Sequence, residues 1–315
     1  MKRNHRTAYR TVIGIGVTIF ALILEARGAD LRLEEVWTLN GEAGGHPFRS
    51  LSSLAYDITK DEYLLADTDA KQVIILDRRG ELSGILGREG ELRAPVGVAA
   101  DGKGRIFVGE RDRGEIKVFA GGDTRLSEPP EVWNLPSTDE GIGPSPGKMA
   151  VGPAGDLYVV DSTGGWILVF DAERRFRYRI GSQGREKKAF SFLQDVACDA
   201  RGWIYAASRG TYPLTLFDRD GAFLRPVRDI RAVAEDVVDP IGLAVDAHNR
   251  LWVLDGARNR LVVFGPQGQH IGTLEESDFR GGLFLPVDIE FDRYDHLVLA
   301  ERGAARVRLF VPRVD

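Results

Sequence analysis

Pro240-Ile241-Gly242-Leu243-Ala244-Val245-Asp246 is followed by Asn249-Arg250-Leu251-Trp252-Val253-Leu254-Asp255 and then by Asn259-Arg260-Leu261-Val262-Val263-Phe264. Each phrase is a short apolar run bounded by residues that favour turns, the pattern of a buried strand. The connections are so short that consecutive strands must run antiparallel.

The first phrase recurs along the chain. Its closing position falls at Asp57, Asp101, Gly152, Asp199, Asp246 and Asp292, spaced by 44, 51, 47, 47 and 46 residues. Six positions earlier stand Leu51, Pro95, Pro146, Leu193, Pro240 and Pro286. Eighteen positions later stand Phe119, Phe170, Phe217, Phe264 and Phe310, with Leu76 at nineteen in the first copy. One copy reads as four strands: A at Gly97 to Ala100, B at Arg105 to Val108, C at Glu115 to Phe119 and D at Glu131 to Leu135. Four short strands at a period of roughly 40 to 50 residues form the blade of a β-propeller. The expectation is an all-β, six-bladed propeller of four-stranded antiparallel blades. The sixth copy lacks a strand D after Arg306 to Phe310, and Leu33 to Leu39 resembles the missing strand. An N-terminal strand pairing there would close the ring and remove its edge. The predicted organisation is a leader at 1–28 and one propeller at 29–315. Its blades fall at about 47–94, 95–143, 144–191, 192–239, 240–285 and 286–315 plus strand 33–39.

Pro95-Val96-Gly97-Val98-Ala99-Ala100-Asp101, the phrases of the form Gly-x-Ile/Leu-aromatic-Val and Phe119 resemble the NHL repeat, over nearly all of residues 31 to 315. The resemblance implies a six-bladed propeller of the kind found in secreted or periplasmic bacterial NHL-repeat proteins. It does not select a function, because such propellers include enzymes, sensor domains and binding scaffolds.

Glycine supplies 37 of 315 residues, well above the usual roughly 7%, which suits many tight turns. With 43% hydrophobic and 28% charged residues the composition is that of a folded globular chain. Lys2, Arg3, Arg6 and Arg10 precede an uncharged run from Val12 to Leu24, too short for the roughly 20 residues of a membrane span. It reads as a secretory signal cleaved before Ala29, or as an uncleaved anchor, and it predicts a periplasmic or secreted protein. Removing residues 1–28 takes away five of 42 Lys+Arg and one of 47 Asp+Glu, leaving 37 against 46 and a net charge of −9. That balance argues against a nucleic-acid partner. A membrane would be met only through an uncleaved anchor. Cys198, the sole cysteine, can form no disulfide within the chain and reads as a small buried hydrophobe.

Departures from the repeat mark candidate chemistry. Four positions before the landmark stand Ser53, Gly97, Lys148, Asp195, Gly242 and Asp288, and two before it stand five alanines and then Glu290. Lys148, Asp195, Asp288 and Glu290 thus put charge at the channel mouth, where they would bind a ligand or a Ca²⁺ ion, or neutralise one another. Acids end strand B in five copies, at Asp67, Glu110, Asp161, Asp255 and Glu301, with Ser208 in the sixth. They would hold turn backbone or, as a ring, bind calcium. Arg111, Arg209, Arg258 and Arg302 in the B-to-C loops could grip an anionic ligand or pair with these acids. His248 and His296 lie in A-to-B turns and His270 in an outer strand, so the zinc site of propeller lyases is not expected. No catalytic residue or bound cofactor is expected beyond a possible channel Ca²⁺. The favoured reading is a binding or scaffold propeller that offers its D-to-A and B-to-C loop face to a protein, peptide or glycan. The alternative is a metal-dependent hydrolase or lyase at the channel mouth.

Overall fold

The structure is a computed structural model, described over residues 31–314 except 89, 112, 123–125, 137–142, 184–188, 211 and 229–236, with backbone alone at 182, 183 and 189. The leader at 1–28 lies outside the described residues, as do parts of the long connections Glu128 to Asp139, Ser182 to Ser191 and Arg228 to Asp239.

Strand B of each blade explains why the blades stack. Tyr63, Leu64, Leu65 and Ala66 are all buried, as are Leu251, Trp252, Val253 and Leu254. A strand apolar on both faces needs a sheet against each of them. Six sheets answer that need, five with their strands in sequence order and the sixth with the N-terminal strand at its outer edge. Their innermost strands are Leu51–Asp57, Pro95–Ala100, Pro146–Val151, Ala189–Cys198, Pro240–Val245 and Pro286–Phe291. The fold is therefore the expected six-bladed propeller. Its core is six apolar clusters, each shared by two neighbouring blades.

Closure follows the sequence reading, with longer strands. Leu31–Asn40 pairs antiparallel with Arg306–Val314, from Leu31 opposite Val314 to Asn40 opposite Arg306. Blade 4 departs from the repeat: its inner strand starts early, at Ala189, and Ser182–Gln183 adds a short parallel pairing. The landmark aspartates close the A-to-B turns, for example by Asp246 Oδ1 accepting the backbone N–H groups of His248 and Arg250 at 2.9 Å each.

Candidate functional site

All six inner strands carry a bulge or ladder irregularity, the register slipping at Leu51/Ser53, Pro95/Gly97, Pro146/Met149, Leu193/Asp195, Pro240/Gly242 and Pro286/Asp288. A bulge leaves backbone groups without a ladder partner, and buried N–H groups must find another acceptor. Side chains at the bulge serve the next blade. Leu54 N–H donates to Asp288 Oδ2 at 2.7 Å, Val98 N–H to Ser53 Oγ at 3.3 Å and Leu243 N–H to Asp195 Oδ2 at 2.8 Å.

Lys148 crosses the bore. From blade 3 its Nζ donates to Asp288 Oδ1 at 2.7 Å and to the Val287 carbonyl at 2.8 Å in blade 6. It also reaches the Ile241 carbonyl at 2.6 Å in blade 5 and Asp195 Oδ2 at 3.3 Å in blade 4. Three of the four predicted channel residues thus meet in one buried cluster. The mutual neutralisation weighed for these residues is present between Lys148 and Asp195, and the shorter bond is to Asp288, on the opposite side of the ring. Burial opposes the charge on Lys148, yet the two carboxylates outweigh it and hold the ammonium above its usual range. Burial pushes Asp195 up to about 7 against the pull of Lys148, and it raises Asp288 in the same way. A calcium ion does not fit this donor set. Asp195 Oδ1 accepts the Val196 N–H at 2.7 Å, Asp288 Oδ1 accepts the Ile289 N–H at 3.1 Å besides Lys148, and an ammonium sits where the cation would.

Below this plug the bore widens into a cavity of about 680 Å³, whose wall runs down to the A-to-B turns at Asp101–Lys103, Gly152–Gly155 and Asp199. It opens on the face opposite the loops expected to carry the site. Glu290 lines it one level below the plug, its Oε1 accepting the Phe291 N–H at 2.9 Å. Burial, aided by Asp288 and Asp195, pushes Glu290 up to about 8. Cys198 lies on the same wall, half-buried where full burial was expected, and desolvation raises its thiol to about 12.

On the loop face the strand-B acids act as straps. Asp67 accepts the N–H groups of Arg49 and Ser50 at 2.8 Å each, Glu110 that of Ala94 at 2.8 Å, Asp161 that of Ser145 at 2.9 Å and Asp255 that of Asp239 at 3.1 Å. Glu301 accepts Phe284 N–H at 2.8 Å. The backbone role is as expected, but most of the bonds tie down the preceding D-to-A loop rather than the following turn. Blade 4 has Ser208 instead, whose hydroxyl donates to the Tyr212 carbonyl at 3.4 Å.

The rim held by these straps carries exposed apolar residues among its arginines. In blades 4 to 6 it carries Phe192, 77% exposed, with exposed Val238, Phe284 and Leu285. Blades 1 and 2 present Arg49 and Arg93, both exposed. Phe192 and Leu285 occupy the same repeat position and both have left-handed backbone, φ 56° and 45°, a strained state for bulky residues.

The predicted arginines ring this face without converging. Arg209 grips Asp239 through two bonds of 2.6 and 2.8 Å, both between side chains at the surface. Arg111 and Arg302 are exposed and form no side-chain ion pair among the described residues, while Arg258 is exposed and partnered. Sequence reasoning missed Arg308, fully buried between Phe279 and Phe310, 5.3 Å from each ring centroid. Its Nη2 reaches Glu301 at 2.8 Å and the Gly282 carbonyl at 3.1 Å, so it ties the loop carrying Phe284 to the blade. The available signal was an arginine at a strand-C position that is Ile74, Leu168 or Val262 in three other blades and Lys117 or Thr215 in the remaining two.

Among the described residues one His-containing group, Asp246, His248 and Asp295, has ligand atoms within 4.8 Å of one another. Asp246 is already held by Arg250 Nε and by Trp252 Nε1, and His248 Nδ1 lies 3.3 Å from Asp295.

No protein-family model matches the chain. The chain is 27% identical over 131 residues to the protein brain tumor of Drosophila melanogaster, covering 41% of this chain and 12% of that one. It is 26% identical over 179 residues to human NHL repeat-containing protein 3, covering 53% of this chain and 50% of that one. The chain therefore spans half or less of the length of these two relatives. A solved structure from Xanthomonas campestris, described as a gluconolactonase, superposes with a TM-score of 0.64 at 17% identity over 91% of this chain and 97% of its own. At that identity the likeness concerns the fold alone.

Proposed function

Taking the chain as the NHL-type six-bladed β-propeller that it is, we propose that it is an extracytoplasmic binding module that docks a protein or peptide segment on its loop face. The carrying observation is the pair Phe192 and Leu285, bulky, exposed and held in left-handed backbone at one repeat position in blades 4 and 6. Such strain costs on the order of 1 kcal/mol per residue, with no compensating burial in the free protein. Contact with a partner would supply that burial. Val238 and Phe284 extend the apolar sector, and Arg49 and Arg93 supply positive charge across the rim. The fitting partner is a segment with large apolar side chains followed by acids. The basic stretch and uncharged run at the N-terminus support the extracytoplasmic setting. The enzymatic alternative has less support, since the carboxylates that would hold its metal are occupied by Lys148 and backbone N–H groups.

Selection of binders from a random peptide library against the folded chain tests this reading. The enriched peptides should combine apolar and acidic residues. Phe192→Ser with Leu285→Ser should weaken them by roughly tenfold or more, and Arg49→Ser with Arg93→Ser should reduce the salt dependence of binding. Binders indifferent to both pairs of substitutions would sink the proposal.

A further inference from the structure

The cavity on the A-to-B face is independent of the loop face. Its volume of about 680 Å³ is in the range of small-molecule sites, roughly 300–1,000 Å³. The Lys148 cluster, which spans the bore from blade 3 to blade 6, lines its inner end. At the level below the cluster, five blades present Ala55, Ala99, Ala150, Ala197 and Ala244, and the sixth presents Glu290. One carboxylate thus stands in a collar of alanines, four of them largely packed between the blades. That polarity suits neither of two common ligand types. A calcium ion takes about six to eight oxygen donors, and this level has one acidic side chain. At this depth an anion would meet Asp195, Asp288 and Glu290 with Lys148 as the neighbouring cation, Lys103 and Arg105 lying nearer the entrance. An organic cation has both features the collar asks for, an apolar body and a single charged head.

We propose that this pocket binds a primary alkyl or aryl amine, with the ammonium on Glu290 and the hydrocarbon against the alanine collar. The head group donates to the carboxylate, and Glu290 is the only blade-specific side chain at that level. The charged and titratable groups around it are few. Lys148, Asp195 and Asp288 lie above it. Cys198 lies on the same wall, and towards the entrance stand Asp101 paired with Arg105, Lys103, Asp199 paired with Arg201, and Tyr56, whose hydroxyl engages Asp61 and Arg293. Free Glu290 is held protonated up to about pH 8 by its burial. An arriving ammonium favours the ionised form, so binding at pH 7 must expel a proton and affinity must rise towards pH 9.

Calorimetry with phenethylamine, and with 2-phenylethanol as its neutral counterpart, tests the proposal. The amine should bind, with heats at pH 7 that differ between phosphate and Tris because a proton is released. The alcohol should bind at least roughly tenfold more weakly, and Glu290→Gln should lose roughly ten- to a hundredfold for the amine, the worth of a charge-assisted bond. If that variant fails to fold by circular dichroism, Glu290→Ala, the residue of the other five blades, takes its place. Phe192→Ser should bind the amine as wild type does, which separates this pocket from the loop face. Equal binding of amine and alcohol, amine binding unchanged in the Glu290 variant, no amine binding by the folded wild type at either pH, or stabilisation by calcium alone would each overturn the proposal.

Discussion

Lys148 is the counter-charge for two buried carboxylates, and its removal is the most informative single change in the channel. Lys148→Met keeps much of the length and apolar stem but leaves Asp195 and Asp288 facing each other without a cation. Breaking one side of a buried ion cluster costs about 3–5 kcal/mol, because the remaining charge stays desolvated. The sign of the pH dependence follows from the carboxylates. An acid raised in the folded state, as Asp195 is to about 7, binds protons more readily folded than unfolded. Its penalty is absent below the unfolded value near 4 and grows to its full size above the folded value. Lys148 itself is raised, so its contribution in wild type is complete below its unfolded value near 10 and does not vary between pH 5 and 8. Urea unfolding should therefore show the variant close to wild type at pH 5 and several kcal/mol weaker at pH 8. A loss independent of pH would mean that Lys148 acts through packing alone.

At the scale of the strand, Gly97 and Gly242 hold the same repeat position but meet different neighbours. A Cβ on Gly97 would sit 1.9 Å from the Gly147 carbonyl oxygen, a backbone atom that cannot step aside without moving the inner strand of blade 3. On Gly242 the nearest atom is Leu254 Cβ at 3.3 Å, and small adjustments suffice. Gly97→Ala is expected to cost about 2–3 kcal/mol and Gly242→Ala under about 1 kcal/mol, read as shifts in the urea midpoint at constant slope. Comparable losses at both sites would contradict this account. The same position shows how much of the molecule was legible in sequence. The repeat of Pro95, Pro146, Pro240 and Pro286 before apolar runs, with Asp or Gly closing each run, was sufficient for blades and strand order, because alternation and turn chemistry are local. The bulge is a ladder irregularity that leaves no fixed residue type, so the direction of the side chains at Ser53, Lys148, Asp195 and Asp288 was hidden. The bond from Lys148 to Asp288 spans 140 residues and exists only because the ring brings blades 3 and 6 face to face. Glu290 was visible as an exception to alanine, yet the face on which its cavity opens was not.

At the scale of the ring, stability is shared among six interblade clusters, and no blade has an uncovered face while the ring is closed. The closing strand serves two of them at once. Leu31 and Leu33 pack on the cluster between blades 5 and 6, and Trp37 and Leu39 on the one between blades 6 and 1. Removing residues 31–40 would therefore weaken two neighbouring interfaces. It would also bare Arg306–Val314, which pairs along nearly its whole length with that strand. An exposed edge of this length is a template for pairing with another chain. The deletion should lower the thermal midpoint by roughly 10 °C or more and produce concentration-dependent dimers or larger species on size exclusion. A synthetic peptide of residues 31–40 added in excess should restore both the midpoint and the monomer, because it can take the same register from Leu31 opposite Val314 to Asn40 opposite Arg306. A deleted chain that melts like wild type and stays monomeric would show that five complete blades and the partial sixth hold the ring without closure.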